Sequence, residues 1–311
     1  MYCSVEKDRP FSTLSDKEWL RIIEEFGVLE EINMVAFEGG EPFLRKSLPD
    51  LAAAALVYAN KVKVITSGAI NPKKFIEKNG KNPKVRMEFS MDGLEETHNQ
   101  LRDSSYKRTI NSLEQALQTD MEIAVRTVIS TFNIDEYPVF LQNLDQFLGK
   151  FKKKVDVFFD VILPPNYLMT KNKNKKQKLR SYPTEGLVPS QDKIMALFIY
   201  LTRQQFKYIS FKQNEPFRGC DFANKSFISL SPSGEYSFCC ESEDTLGNIV
   251  IDRVEKCYKR VLEFHKKSNC KSCEYHQQTY CGGCSRESKC GLVSYYGFES
   301  CKAFFDQIVA K

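Results

Sequence analysis

Ten of the eleven cysteines in this 311-residue chain lie between Cys220 and Cys301, and the eleventh is Cys3. Two pairs stand out, Cys270-x2-Cys273 and Cys281-x2-Cys284, flanked by Cys220, Cys239, Cys290 and Cys301. A two-residue gap lets both sulfurs reach one metal centre, and soft thiolates select zinc or iron–sulfur clusters. The spacing alone leaves a structural zinc ribbon open beside iron–sulfur ligation. So many cysteines, with no basic-then-apolar leader ahead of them, argue for metal rather than a disulfide framework, and the chain reads as cytoplasmic.

The composition narrows the partners. No run of 18 apolar residues appears, so a membrane span is not expected. The net charge is a mild +5, and the densest basic run, KNKNKKQKLR at 171–180, is confined to one segment. That run reads as a solvated linker, with an electrostatic landing strip for an acidic substrate segment as its functional alternative. No nucleic acid partner is expected.

A second set of chemically capable residues sits where strands should end. SDKEWLRIIEEF places Ser15 three residues before Glu18, a capping box opening a helix. INMVAF, KVKVITSG, KVRMEFSMDG, MEIAVRTVIS and VDVFFDVIL then alternate with helical stretches such as LPDLAAAALVYA, TINSLEQALQ and YPVFLQNLDQFL. Five apolar strands spaced by helices imply a parallel sheet covered on its outer face, either a barrel or a doubly wound sheet. Ligands of such sheets sit beyond the carboxyl ends of the strands. Those ends carry Gly39-Gly40-Glu41, Ser67-Gly68, Ser90-Met91-Asp92-Gly93 and Arg126. A glycine pair lets a ligand approach the backbone closely, and a carboxylate beside it can accept from a cationic amine; a turn with a solvated glutamate is the plainer alternative. The pattern breaks between Pro164 and Ser190, and QDKIMALFIYLTRQQF then reads as a helix that closes the array. Cys257, within the helical stretch VEKCYKRVLEF, reads as a buried apolar residue.

Taken in order, Tyr2-Cys3, FEGGEPFL, FSMDGLEETHNQLR and the cysteine-rich tail resemble radical S-adenosylmethionine (radical SAM) enzymes of the SPASM subgroup. In that family a C-x3-C-x-aromatic-C loop after the first strand holds a [4Fe-4S] cluster. Tyr2 matches the aromatic position and Cys3 the third ligand, and the first strand and two earlier cysteines are expected upstream of this start. The resemblance implies an α/β fold, a partial (βα)6 radical SAM barrel over 1–165 with its first strand missing. A basic linker with a bridging helix and strand would follow over 166–215, and a small SPASM auxiliary iron–sulfur domain over 216–311.

The same resemblance assigns roles. Gly39, Gly40 and Glu41 would bind the methionine moiety of S-adenosylmethionine, Glu41 accepting from its amino group. Tyr2 would pack near the adenine, Ser90 and Asp92 would lie near the ribose, and Arg126 would face the same pocket. Apart from the resemblance, His98 and Arg102 read as bracing the following helix rather than doing chemistry. Besides the radical SAM cluster at Cys3, two auxiliary [4Fe-4S] clusters are implied. Cys270, Cys273, Cys281 and Cys301 would hold one; Cys220, Cys239 and Cys284 the other, its fourth ligand open among Cys240, Cys257, Cys290 and substrate. The tail departs slightly from the SPASM pattern, with seven residues between Cys273 and Cys281 rather than five and two between Cys281 and Cys284 rather than three. The implied activity is that of a peptide or protein maturase using a 5′-deoxyadenosyl radical, with flavodoxin or ferredoxin as reductant. An inactive peptide-binding protein and an iron–sulfur electron carrier are the alternatives.

Overall fold

The computed structural model describes residues 13–162, 186–211, 228–237 and 245–265. Among the described residues two compact units are present, one built from 15–161 and 192–211, the other from 13–14, 162, 186–191, 228–237 and 245–265.

The first unit begins with α1 (Asp16–Leu29), and both halves of the capping box are made: the Ser15 hydroxyl accepts from the Glu18 N–H at 3.3 Å, and Glu18 Oε2 accepts from the Ser15 N–H at 2.7 Å. Then β1 (Ile32–Phe37), α2 (Leu48–Tyr58), β2 (Ala59–Thr66), α3 (Lys73–Asn79), β3 (Val85–Ser90), α4 (Glu95–Leu101), α5 (Tyr106–Leu117), β4 (Glu122–Ile129), α6 (Tyr137–Gly149) and β5 (Val155–Val161) follow. Finally α7 (Gln191–Arg203) and β6 (Ile209–Ser210) complete the unit. β6 pairs with β5, and α7 and β6 lie in the unit that holds the six-stranded sheet.

All six strands are parallel and their spatial order is β1-β2-β3-β4-β5-β6, the order of the sequence. A doubly wound sheet reverses its order at a switch point; this one never reverses, which is the winding of a barrel wall. Of the two windings that the sequence left open, the structure takes the barrel type.

Registry sorts the sheet into two unlike faces. Val62, Val64, Val85, Met87, Phe89, Ile123, Val125, Val155 and Val157 share one face and are buried. The helices cover it with Leu51, Ala52, Ala55, Phe75, Leu113, Ala116, Phe140, Leu141 and Leu144. Alanines at 52 and 55 let α2 lie close, and full burial of side chains such as Leu113 or Phe75 stabilises by about 1.5–3 kcal/mol each. The opposite face is charged.

The second unit carries a small antiparallel sheet, β7 (Ser229–Leu230), β8 (Glu235–Ser237) and β9 (Gly247–Asn248), and then α8 (Val254–His265). Cys257 on α8 is fully buried, as its place in the helical pattern implied. Arg260 ties the motif together, donating to the Tyr236 hydroxyl at 2.9 Å, Asp252 Oδ2 at 2.9 Å and the Leu246 carbonyl at 3.1 Å. Among the described residues no helix is long and apolar enough to cross a membrane.

Candidate functional site

The carboxyl ends of β1, β2, β3 and β4 are fastened to one another by side chains that the loops supply. After β1 the chain turns through Gly39, whose φ of 114° suits only glycine, and Gly40. Both are exposed, and a Cβ on either would meet nothing within 4 Å. Among the described residues nothing therefore fills the space beside the pair.

Glu41 holds this turn in place. One carboxylate oxygen accepts from the Phe43 N–H at 3.2 Å, capping the short 3-10 turn Pro42–Leu44, and from the Thr66 hydroxyl at 2.8 Å. The other accepts from the Ser67 N–H at 2.9 Å and from the Ser67 hydroxyl. Four donors occupy the roughly four lone-pair directions of a carboxylate. Glu41 is thus a clamp between the ends of β1 and β2, and a ligand amine would have to displace one of these donors.

The end of β3 is fastened to β4 in the same manner. Asp92 is fully buried; its carboxylate accepts from the Val128 N–H at 2.9 Å and from Arg102 Nε. Its N–H donates to His98 Nδ1 at 3.4 Å, and its carbonyl accepts from Asn133 Nδ2 at 2.9 Å. With Nδ1 accepting, His98 carries its proton on Nε2, 3.0 Å from the Ser105 hydroxyl. Burial, reinforced by the Arg102 charge and opposed by Asp92, pushes the His98 pKa down to about 4, so the ring is neutral.

The charged face runs below these ends. Lys61 and Lys63 on β2, Arg86, Glu88 and Ser90 on β3, Glu122 and Arg126 on β4, and Asp156, Phe158 and Asp160 on β5 share it by registry. Glu88, with a side chain only 2% exposed, lies 3.1 Å from Arg126 Nε and 3.7 Å from Arg86 Nε. Arg126 also reaches Asp160 at 2.6 Å, and both guanidinium groups lie over the Phe158 ring, at 4.9 and 5.1 Å. Burial opposes the Arg126 charge, but Asp160 and Glu88 outweigh it and hold the group protonated. The Ser90 hydroxyl, on the same face, has no partner among the described residues.

A family model described as the radical SAM superfamily matches residues 1–144. That span contains the sheet from β1 to β4, every fastening just described, and the open glycine pair. Residues 1–144 are thus similar to the radical SAM superfamily. Over 79 residues the chain is 39% identical to the PqqA peptide cyclase of Granulibacter bethesdensis, and over 138 residues it is 23% identical to the sporulation killing factor maturation protein SkfB of Bacillus subtilis. These matches cover 25% and 43% of this chain and only 21% and 33% of the relatives. In fold, the chain is similar to anSMEcpe with bound AdoMet and the Kp18Cys peptide, at TM-score 0.71 and 16% identity over 100% of this chain and 92% of that one. It is also similar to Streptococcus suis SuiB bound to its precursor peptide SuiA, at TM-score 0.63 and 16% identity over 91% and 70% of the two chains.

The sheet brings together Gly39, Gly40, Ser90 and Arg126 at or near its carboxyl edge, where the sequence placed them. Asp92 is fully buried, and its carboxylate accepts from the Val128 N–H at the β3–β4 junction. His98 and Arg102 brace this junction together with it, through Asp92 itself. Tyr2, Cys3, Cys220, Cys239, Cys270, Cys273, Cys281, Cys284 and Cys301 lie outside the described residues. Sequence reasoning missed Thr66, Glu88 and Asp160. Glu88 and Asp160 were signalled by charged residues at alternate positions in VRMEFS and VDVFFD, whereas Thr66 falls in the register of Val62 and Val64 and carried no such signal.

Proposed function

We propose that this protein modifies a peptide or protein by radical SAM chemistry. The observation that carries the reading is the open Gly39–Gly40 pair at the carboxyl edge, locked by Glu41 and bordered by a charged inner face.

The residues fit S-adenosylmethionine. The glycine pair offers unobstructed backbone to its methionine moiety, and Ser90 and Arg126 offer a free hydroxyl and a fixed cation on the adjoining face. Tyr2 would pack near the adenine and Cys3 would ligate the [4Fe-4S] cluster. When bound and reduced by one electron from flavodoxin or ferredoxin, S-adenosylmethionine supplies a 5′-deoxyadenosyl radical that takes a hydrogen atom from the substrate. The chain's own part is to bind, orient and keep water away. Glu41 fixes the loop, Asp92 fixes the next strand end, and the Arg126–Asp160 pair presents both charge signs at the mouth for a peptide's polar groups. Cys270, Cys273, Cys281 and Cys301, and Cys220, Cys239 and Cys284, would hold the auxiliary clusters.

Peptide substrates are favoured because the similar proteins named above include a peptide cyclase and two structures with bound peptides. A cytoplasmic location follows the cysteine usage. The test is an anaerobic incubation of iron-replete protein, carrying all three cysteines of the N-terminal loop, with dithionite, S-adenosylmethionine and a peptide library. Peptides that lose two hydrogen atoms in step with 5′-deoxyadenosine release support the reading; 5′-deoxyadenosine with no change in any peptide would redirect it to another substrate class.

A further inference from the structure

At the amino end of the sheet, opposite the candidate site, four loops form one continuous rim. Residues 80–84 join 118–121 through the Asp120 N–H to the Gly80 carbonyl at 2.8 Å. Residues 118–121 join 150–154 through Lys153 Nζ to the Thr119 carbonyl, and 150–154 lead to 204–208 through the Val155 N–H to the Tyr208 carbonyl at 2.8 Å. These loops carry Lys81, Lys84, Lys150, Lys152, Lys153, Lys154 and Lys207 against one carboxylate, Asp120.

All of these lysines except Lys153 are exposed, and those exposed ones have no ion pair among the described residues. The neighbouring acids are engaged elsewhere. Glu122 pairs with Lys61, Asp156 with Arg86, and Asp145 accepts from the N–H groups of Lys207, Tyr208 and Ile209. Two of the lysines are steadied by rings, Lys150 over Phe147 at 5.7 Å and Lys207 over Tyr208 at 5.2 Å. Lys152 holds a φ of 53°, an unusual backbone state for a side chain of this kind. Such an uncompensated patch raises the local potential and steers oppositely charged partners.

We propose that this rim is a docking surface for an acidic polypeptide segment. The rim has no arginine, the residue that phosphate recognition favours, and no exposed large hydrophobic side chain to enter a bilayer. Both features disfavour nucleic acid and lipid. The six residues of β3 separate the rim from the carboxyl edge by about 20 Å, so a docked partner leaves the candidate site open. The inference does not depend on the reaction proposed above.

The test is fluorescence anisotropy of the full chain with a labelled glutamate-rich peptide. One variant combines Lys81→Glu, Lys84→Glu, Lys152→Glu and Lys154→Glu; a second combines Lys171→Glu, Lys173→Glu, Lys175→Glu and Lys176→Glu, with the same change in net charge. The rim set should weaken binding by about tenfold or more and flatten its salt dependence, and the linker set by less than about threefold. Equal weakening by both sets, or loss only with the linker set, overturns the proposal. So does tighter rim-dependent binding of an oligonucleotide or of phosphatidylserine vesicles. If the rim set fails to fold by circular dichroism, the four Lys→Gln changes give the same comparison.

Discussion

Ser67 donates twice to one carboxylate oxygen of Glu41, once from its backbone N–H at 2.9 Å and once from its hydroxyl. With Thr66 and Phe43 on the other oxygen, this double contact makes a single side chain responsible for the position of the glycine turn. The turn's residues are then free to face a ligand because none of their own side chains is needed to hold them.

Glu41→Ala should therefore destabilise the domain by about 1.5–3 kcal/mol, the scale of lost hydrogen bonds to a charged group. Hydrogen exchange is the sharper readout, since the Ser67 and Phe43 amides should lose protection while amides in β3 keep theirs. Unaltered protection at Ser67 would remove the clamp role.

The neutral, buried His98 makes stability depend on pH. Its folded pKa of about 4 lies below the ordinary 6.5, so below pH 6.5 the unfolded chain takes up a proton that the folded chain refuses. Stability should fall as pH drops from 6.5 towards 4, with a loss of about 2 kcal/mol at pH 5 from this group. Denaturant midpoints at pH 7 and pH 5, compared with those of His98→Gln, isolate the effect; an equal pH slope in the variant would assign it elsewhere.

Glu88 is buried between two arginines, and removing either leaves a poorly compensated charge. Arg126→Met should cost about 3 kcal/mol in thermal or chemical unfolding, and Glu88→Gln in the same background should restore part of it. Additive losses in the double variant would contradict the pairing.

Much of this was legible in the sequence, for physical reasons that also explain what was not. Alternating βα elements show because buried parallel strands and amphipathic helices have different periods, and Ser15 with Glu18 marks α1 because a capping box is local. Strands β6, β7 and β9, of two residues each, are too short to carry a period. The resemblance put Asp92 near the ribose, and strand alternation would put it on the Ser90 face. The strand ends at Ser90, however, and the chain turns at Gly93 with φ 135°, which sends the carboxylate under the Val128 N–H instead. The charged inner face is not legible in any one strand, because only registry between strands shows that Arg86, Glu88, Arg126 and Asp160 meet.

The central claim is that the open glycine pair receives S-adenosylmethionine, and Gly40 allows a direct test. A Cβ there meets nothing within 4 Å, so Gly40→Val should fold and melt like the parent while placing a branched side chain where the ligand must lie. Equilibrium dialysis of S-adenosylmethionine against iron-replete protein carrying the complete three-cysteine loop should give saturable binding for the parent and binding at least about tenfold weaker for Gly40→Val, the equivalent of 1.4 kcal/mol. Equal affinity in the two proteins at matched melting temperature, or no saturable binding by the iron-replete parent, would contradict the account.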